Sequence, residues 1–328
     1  MAIVFNGKRV ADVKVGGGPF AARVVSGGAE IWRREEPRFF CYGNKRVYLS
    51  QDGLSWRCVM FKKSGSSTIP TWVQEPAYGN GIWLAGGGSA LYRSTNGFSW
   101  SREGAGYAYH PIFADGRFVV AKEGDARIAE SADGKSWAFH YPDPSSLGVF
   151  VAVAYNPTLK LFTFADYNFL KDGSVLDGGY LYYAATLGAT PTKATSTARK
   201  YTSVTAGGGK FVATATGSKI VYTTADGKGK SWASSDSIAS NWDFSMYGDA
   251  FYAHCPEGLY RSTDGKTWTR RANAPAGMLS LAWRDGVLVA NTGGDEGGIW
   301  RSADSGASWA KVMDAPNVFT KIQTMGVC

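Results

Sequence analysis

The chain of 328 residues carries a formal net charge of +8, and 44% of its residues are hydrophobic. This length fits one large all-β domain or two average domains, and no apolar run approaches the roughly 20 residues that span a bilayer. The positive charge is spread along the chain, so it permits weak attraction to nucleic acid or a bacterial envelope but marks no binding segment. The first residues lack the basic segment and apolar core of a signal peptide, so we expect synthesis in the cytoplasm.

Residues 1–34 predict a small β module. Asn6 and Gly7 are a hairpin signal between two short strand-like runs. Further alternating runs at 22–25 and 30–32 are separated by glycine clusters. A segment this short forms only a small hydrophobic core of its own. We therefore expect it to pack against the following domain, residues 35–328, or against another protein.

An internal repeat dominates the sequence after residue 35. Each copy follows a short apolar run and reads Ser/Thr-x-Asp/Asn, then a glycine, then Ser/Thr-Trp. An Asp or Asn can accept hydrogen bonds from the backbone of a turn, glycine adopts a positive φ freely, and tryptophan buries a large apolar face. We therefore interpret the copies as structural hairpin turns rather than catalytic or metal sites. Their polar residue and tryptophan are Asp52 and Trp56, Asn96 and Trp100, Asp133 and Trp137, Asp226 and Trp232, Asp264 and Trp268, and Asp304 and Trp309.

The spacing of the copies predicts the architecture. Successive tryptophans lie about 40 residues apart, which is one four-stranded propeller blade. The gap from Trp137 to Trp232 is about twice as long and predicts a blade at 149–190 that has lost the motif. The first unit has three predicted strands, and residues 318–324 at the C-terminus can supply the fourth. We therefore predict an all-β, seven-bladed β-propeller that is closed by its C-terminal strand.

This closure would place Cys328 near Cys41 on adjacent strands. A disulfide is geometrically open to such a pair, whereas a reducing cytoplasm favours two free thiols, and both alternatives stand. The four cysteines show no Cys-x-x-Cys spacing, and the chain has three histidines. We therefore expect no metal site and no cofactor.

The repeat resembles the Asp box of sialidase-like (BNR) β-propellers. This resemblance implies the propeller fold and a structural turn role for the six copies. A sialidase also needs an early Arg-Ile-Pro signature, and Pro37-Arg38-Phe39 is not one. No Tyr/Glu nucleophilic pair is assignable by position either, so the resemblance supplies no catalytic residue.

Residues 1–34 resemble the N-termini of tailed-bacteriophage tail proteins. The shared pattern runs from Asn6-Gly7-Lys8 through alternating valines to Gly27-Gly28 and Ile31-Trp32, ahead of a variable distal domain. This resemblance implies that the module attaches the protein to a virion. The alternative is an unrelated N-terminal β-hairpin cap.

A ligand site is expected at one end of the blades. The repeat turns and the first hairpins share one end of the strands, and the loops between the second and third strands and between blades share the other. Aromatic faces beside polar groups at that second end would suit sugar rings, although loop aromatics also commonly pack against their own domain. The predicted ligand-binding residues are Tyr107, Tyr109, His110, Tyr141, Tyr167 and Trp242.

These observations favour a non-catalytic tail or baseplate protein of a bacteriophage virion, made in the host cytoplasm. Residues 1–34 would bind other tail or baseplate proteins, and the propeller would bind a host-surface glycan or another envelope component. The alternatives are a structural virion propeller, a non-viral assembly factor of the Asp-box type and a glycan-cleaving enzyme. The enzyme would recruit two carboxylates at a suitable separation from Asp166, Asp172, Asp177, Asp295 and Glu296.

Overall fold

The computed structural model divides the chain into two units, Met1–Pro37 and Arg38–Cys328. None of the described elements is a helix, so no described segment forms a helix long and apolar enough to cross a membrane. The described residues are 3–5, 8–10, 23–26, 29–33, 39–43, 46–60, 74–87, 90–95, 100–103, 108–122, 127–140, 148–168, 179–195, 197–215, 221–228, 232–235, 243–247, 249–255, 258–293, 297–314 and 321–324.

The first unit contains two separate antiparallel hairpins. Strand β1 (Ile3–Phe5) pairs with β2 (Lys8–Val10), as the Asn-Gly signal predicts. Strand β3 (Arg23–Ser26) pairs with β4 (Ala29–Arg33). The attachment role of this unit stays a prediction.

The second unit is built from four-stranded antiparallel sheets, which are numbered here from the N-terminus. Sheet 1 has the order β32 (Lys321–Thr324), β5 (Phe39–Gly43), β6 (Arg46–Ser50) and β7 (Arg57–Met60). Sheet 2 consists of β8 (Gln74–Gly79), β9 (Ile82–Gly87), β10 (Ala90–Ser94) and β11 (Ser101–Glu103). Sheet 3 consists of β12 (Ala108–Ala114), β13 (Arg117–Lys122), β14 (Ile128–Ser131) and β15 (Ala138–His140).

The remaining sheets repeat this order along the chain. Sheet 4 consists of β16 (Gly148–Asn156), β17 (Leu161–Asn168), β18 (Leu181–Ala184) and β19 (Thr192–Lys193). Sheet 5 consists of β20 (Tyr201–Gly207), β21 (Lys210–Ala215), β22 (Val221–Thr224) and β23 (Ala233–Ser235). Sheet 6 consists of β24 (Asp243–Tyr247), β25 (Ala250–Cys255), β26 (Gly258–Ser262) and β27 (Thr269–Arg271). Sheet 7 consists of β28 (Met278–Arg284), β29 (Val287–Thr292), β30 (Gly298–Ser302) and β31 (Ala310–Asp314).

The sheets pack face to face in chain order. Five described clusters of buried hydrophobic residues each join two adjacent sheets, namely sheets 2 and 3, 3 and 4, 4 and 5, 6 and 7, and 7 and 1. The first strands of neighbouring sheets also contact one another, and β32 contacts both β28 and β8. The predicted all-β propeller fold is therefore confirmed at this level, whereas the number of blades stays a prediction.

The predicted role of the C-terminal strand is confirmed. Strand β32 pairs antiparallel with β5, and Ile322 lies opposite Cys41. Cys41 is a free, fully buried thiol, and burial raises the pKa of that thiol. Cys328 lies outside the described residues, so its predicted proximity to Cys41 stays a prediction.

The sequence predicts the first strands of sheets 2 and 3 at 71–74 and 111–113. The described strands, Gln74–Gly79 and Ala108–Ala114, include residue 74 and residues 111–113 but extend further, and residues 71–73 lie outside the described residues. Proline cannot donate to a ladder and is tolerated in a strand at a bulge. Each strand has a register shift at its proline, between Gln74 and Ala77 and between Tyr109 and Ile112.

Candidate functional site

The repeat turns join the third and fourth strands of their sheets through a fixed set of hydrogen bonds. In sheet 6, Ser262 Oγ donates to Asp264 Oδ1 at 2.9 Å and accepts the Gly265 N–H at 2.8 Å. Asp264 Oδ1 also accepts the backbone N–H groups of residues 266 and 267, at 2.8 and 2.7 Å. Trp268 Nε1 donates to the Gly265 carbonyl at 3.1 Å. The predicted chemistry of the turn is therefore confirmed.

The serine and aspartate contacts recur in sheets 1, 3 and 7, and the tryptophan bond recurs in sheets 1 and 7. The contacts of the aspartates explain the low pKa values of these carboxylates. The backbone N–H of Ser136 is the main cause that lowers the pKa of Asp133 to about 2. The Ser308 side chain has the same effect on Asp304, whose pKa is also about 2. A carboxylate held by several donors favours its charged form. These charges stabilise the turns, which supports a structural interpretation of the repeat acids.

The repeat turns of sheets 1, 3, 5 and 7 also pack against the preceding sheet. A Cβ atom at Gly53 would lie 2.8 Å from Cγ2 of Val289, and φ at this glycine is +74°. Arg301 Nε of sheet 7 donates to the Asp52 carbonyl of sheet 1 at 2.9 Å. Arg93 of sheet 2 makes the equivalent 2.8 Å bond to the Asp133 carbonyl of sheet 3. At the repeat-turn end of the strands, side chains of one sheet therefore contact the turn of the next sheet.

The predicted ligand-binding residues fall into two groups. Tyr107, Tyr141 and Trp242 lie outside the described residues. The other three were expected in loops, and that was wrong: Tyr109 and His110 lie in β12, and Tyr167 lies in β17. The ladders extend further than expected because Tyr109 pairs with Ala121 and Tyr167 with Val149. In the backbone, Tyr109 and Tyr167 occupy the ends of adjacent sheets 3 and 4, opposite the repeat turns.

Register shifts near the start of the first strands give this opposite end a regular form. In sheets 4, 5 and 7 the extra residue is Val151, Thr202 and Leu279, respectively. Bulges re-aim side chains and are common at barrel rims and beside active sites. Leu279 is 43% exposed as a result. It is one of the few large apolar side chains among the described residues that face solvent.

Buried polar residues lie at the same end of the second strands, opposite a bulge in sheets 5 and 7 and opposite a regular ladder in sheet 6, and sequence reasoning missed them. Thr214, His254 and Asn291 occupy equivalent positions near the ends of the second strands in sheets 5, 6 and 7. The sequence signal was a polar residue three positions after a strand's large apolar residue, as in Phe251 and His254. We call Thr202, Thr214, His254, Ser280 and Asn291 the polar rim.

The polar rim is hydrogen-bonded within and between sheets. The hydroxyl groups of Thr202 and Thr214 are 3.1 Å apart. His254 Nε2 lies 3.2 Å from the Leu279 carbonyl, which joins sheet 6 to sheet 7. Ser280 Oγ donates to Asn291 Oδ1. Within the described part of the chain, the fully buried Nδ2 of Asn291 has no acceptor, so the rim retains a donor for a further polar atom.

Carboxylates for a glycosidase mechanism are not assembled in the described residues. Asp166 is buried at the end of β17, whereas Asp172, Asp177, Asp295 and Glu296 lie outside the described residues. The described residues also contain no group of three or more side chains that could hold a metal ion. The distance test for a pair of catalytic carboxylates therefore stays open to experiment.

Comparisons with known proteins agree with the fold. A family described as the DUF6242 beta propeller domain matches residues 186–320. YCF48 from Cyanidioschyzon merolae is 14% identical, with a TM-score of 0.53 over 79% of this chain and 94% of that chain. AztD from Citrobacter koseri is 11% identical, with a TM-score of 0.58 over 89% and 98%. The computationally designed Ika8 protein is also 11% identical, with a TM-score of 0.52 over 84% and 82%.

No curated protein sequence matches the chain. Identities this low indicate a shared fold and do not transfer an activity, because propellers support many unrelated functions. The likeness therefore establishes a β-propeller.

Proposed function

We propose that the chain is a non-catalytic recognition propeller whose ligand binds at the strand ends opposite the repeat turns. The observation that carries the proposal is the coincidence of two features at that end. Tyr109 and Tyr167 lie there on adjacent sheets, and the polar rim lies at the same end of sheets 5 to 7. Aromatic faces and a small number of placed polar groups are the usual components of a binding site.

The proposal includes a finer assignment of the fold. We propose seven blades of the Asp-box type, one for each four-stranded sheet. The support is the contact of first strands in sequence around the unit, with β32 meeting β8, and the bond from the glycine N–H to the serine hydroxyl that the repeat turns of sheets 1, 3, 6 and 7 share. Sheet 4 is the blade without an Asp box.

The biological setting that we propose is a bacteriophage tail or baseplate. Its support is the resemblance of residues 1–34 to the N-termini of tail proteins. In this setting the protein resides in the virion, the first unit binds other tail or baseplate proteins, and the propeller binds a host-surface glycan without a cofactor. Several copies on one particle would raise a weak glycan affinity through multivalency.

The glycan site is tested by binding to an array of bacterial surface polysaccharides. We expect Tyr109→Ala and Tyr167→Ala each to weaken binding by about tenfold, because stacked aromatic surface is lost. Phe139→Ala is the matched control, since Phe139 is exposed on the outer strand β15. Binding that survives both tyrosine changes, or that Phe139→Ala abolishes, would contradict the proposed site. Release of reducing sugar from the array would favour the glycan-cleaving alternative.

A structural protein contact is the second candidate, and exposed Leu279 favours it. An apolar side chain on the rim suits a protein partner better than a sugar. YCF48 has been solved bound to a D1 peptide, so a propeller of this fold can take a peptide ligand. In a virion, the partner would be another tail protein. Leu279→Ser should then reduce incorporation into particles while leaving glycan binding unchanged, and the opposite result would reject this candidate.

A further inference from the structure

Two equivalent grooves open between adjacent sheets at the repeat-turn end. One lies between sheets 7 and 1, has a volume of about 340 Å³, and is lined by Arg284, Asp285 and Arg301 together with Asp52 of the next sheet. The other lies between sheets 3 and 4 and has a volume of about 250 Å³. We call them the seam groove and the sheet 3–4 groove. The two grooves differ in the charged residues that line them.

The seam groove supplies its own arginines. Arg301 extends from β30 to the Asp52 carbonyl at 2.9 Å, so its guanidinium bridges the two sheets. Arg284 Nε lies 3.6 Å from the Asp285 carboxylate. Asp285 therefore has an arginine beside it, and the ionic lining of two arginines and two aspartates is neutral.

The strand registers identify the equivalent positions in the sheet 3–4 groove. Glu130 replaces Arg301, since each immediately precedes the serine that pairs with the start of the second strand. Ala114 replaces Arg284, since each pairs with the first residue of that strand. Both arginines of the seam groove are thus missing here. Arg117 is the one arginine in the lining.

The remaining charges leave the sheet 3–4 groove acidic. Glu130 Oε1 accepts a hydrogen bond from Arg117 Nη1 at 2.8 Å, and it lies 3.1 Å from His140 Nε2. Asp115 also lines the sheet 3–4 groove, and its side chain is exposed to solvent. Among the lining residues, the two carboxylates and Arg117 give the groove a net charge of −1 in a chain of net charge +8.

The wall of this groove is apolar. Phe162 and Leu187 are both buried and belong to one hydrophobic cluster. Leu187 stands where sheet 1 has Gly53 in its turn, so the turn of sheet 4 presents a side chain and a cavity in place of a close backbone contact. An aliphatic stem can pack on such a wall while its charged head stays in water.

We propose that the sheet 3–4 groove binds an arginine side chain of a partner protein. The guest guanidinium takes the place that Arg301 holds in the seam groove, and it pairs with the carboxylates of Asp115 and Glu130. Arginine suits this position better than lysine because its planar fork donates to two acceptors at once. This site is independent of the recognition surface at the opposite end of the strands, and a basic segment of another protein is the occupant.

The test uses N-acetyl-arginine amide as the probe, with the full-length protein, in a calorimetric or NMR titration. We expect saturable binding in the millimolar range. The uncharged N-acetyl-norleucine amide should bind at least about tenfold more weakly, since hydrogen bonds to charged groups are then lost. Absence of saturable arginine binding, or equal binding of the norleucine probe, would overturn the proposal.

Matched turn variants locate the site. Asp115 and Asp285 are equivalent turn residues with φ of 50° and 49°, a conformation that asparagine also adopts readily. Asp115→Asn should weaken binding of the arginine probe by about tenfold, as should Glu130→Gln. Asp285→Asn should leave it unchanged. Equal effects of Asp115→Asn and Asp285→Asn would reject the sheet 3–4 groove as the site.

Discussion

Sheets 4 and 6 are both four-stranded antiparallel sheets, but the turns that join their third and fourth strands differ. Sheet 6 ties its turn by hydrogen bonds, whereas sheet 4 has no carboxylate there and buries Leu187 in the cluster that it shares with sheet 3. The contrast shows that a four-stranded sheet of this unit forms without the repeat motif. It is one of two ways of filling the junction with a neighbouring sheet. The residues at equivalent positions of sheets 4 and 6 are Ala184 and Ser262, Thr186 and Asp264, Leu187 and Gly265, and Pro191 and Trp268, respectively.

The largest expected effect comes from crowding the junction between sheets 4 and 5. A Cβ atom at Gly227 would lie 2.5 Å from Leu161 Cδ2 and 2.7 Å from Phe211 Cε2, at a φ of +70°. Gly227→Ala should therefore lower the free energy of unfolding by about 2–4 kcal/mol, from backbone strain and overpacking together. Equilibrium denaturation in urea measures the loss.

Gly209→Ala is the matched control for that substitution. Gly209 has a φ of +71°, but a Cβ atom there meets nothing within 4 Å. It should lose only the conformational part, about 1–2 kcal/mol. Equal losses at Gly209 and Gly227 would show that the repeat turn does not press on the preceding sheet.

A smaller effect is expected when sheet 6 receives the residue that sheet 4 already has. Ser262→Ala copies Ala184 and removes the acceptor of the buried Gly265 N–H. Leaving that donor unsatisfied should lower the free energy of unfolding by about 1–3 kcal/mol. Ser101→Ala, at an exposed serine, should change it by less than about 0.5 kcal/mol. If both variants were equally stable, the serine bond would contribute nothing to the turn.

The repeat allowed most of the fold to be predicted from the sequence. The spacing of the tryptophans located the sheets, the doubled gap located sheet 4, and the unpaired run at 318–324 located the closing strand. These inferences succeeded because a turn that needs glycine and a carboxylate leaves a local trace. The full extents of β8 and β12 were not predicted, because a bulge at a proline is fixed by pairing with a neighbouring strand.

The sites were harder to read because they depend on register between distant strands. Tyr109 and Tyr167 were assigned to the correct end but to loops instead of strands. The polar rim was missed because a single polar residue in a strand has no periodic signal until its bulged partner is known. Glu130 became informative only when the ladder aligned it with Arg301.

The smallest effect concerns acid stability, which the carboxylate of sheet 6 affects and Thr186 of sheet 4 cannot. Burial raises the pKa of Asp264, but the N–H groups of Thr267 and Lys266 and the Ser262 hydroxyl lower it further, to about 2 from an ordinary value of 3.8. Its stabilisation is therefore complete above about pH 4 and is lost as the pH falls through about 2. Solvent screening limits it to about 1 kcal/mol.

Asp264→Asn isolates that contribution, because Asn96 shows that sheet 2 uses an amide at the same position of the repeat. The substitution keeps an acceptor oxygen and removes the titration. We expect the wild-type protein to lose more stability than the variant between pH 5 and pH 2.5, as measured by urea unfolding at both pH values. Parallel losses would mean that the unfolded chain holds this carboxylate as strongly as the turn does. The turn of sheet 6 would then owe its stability to packing and to its serine and tryptophan hydrogen bonds.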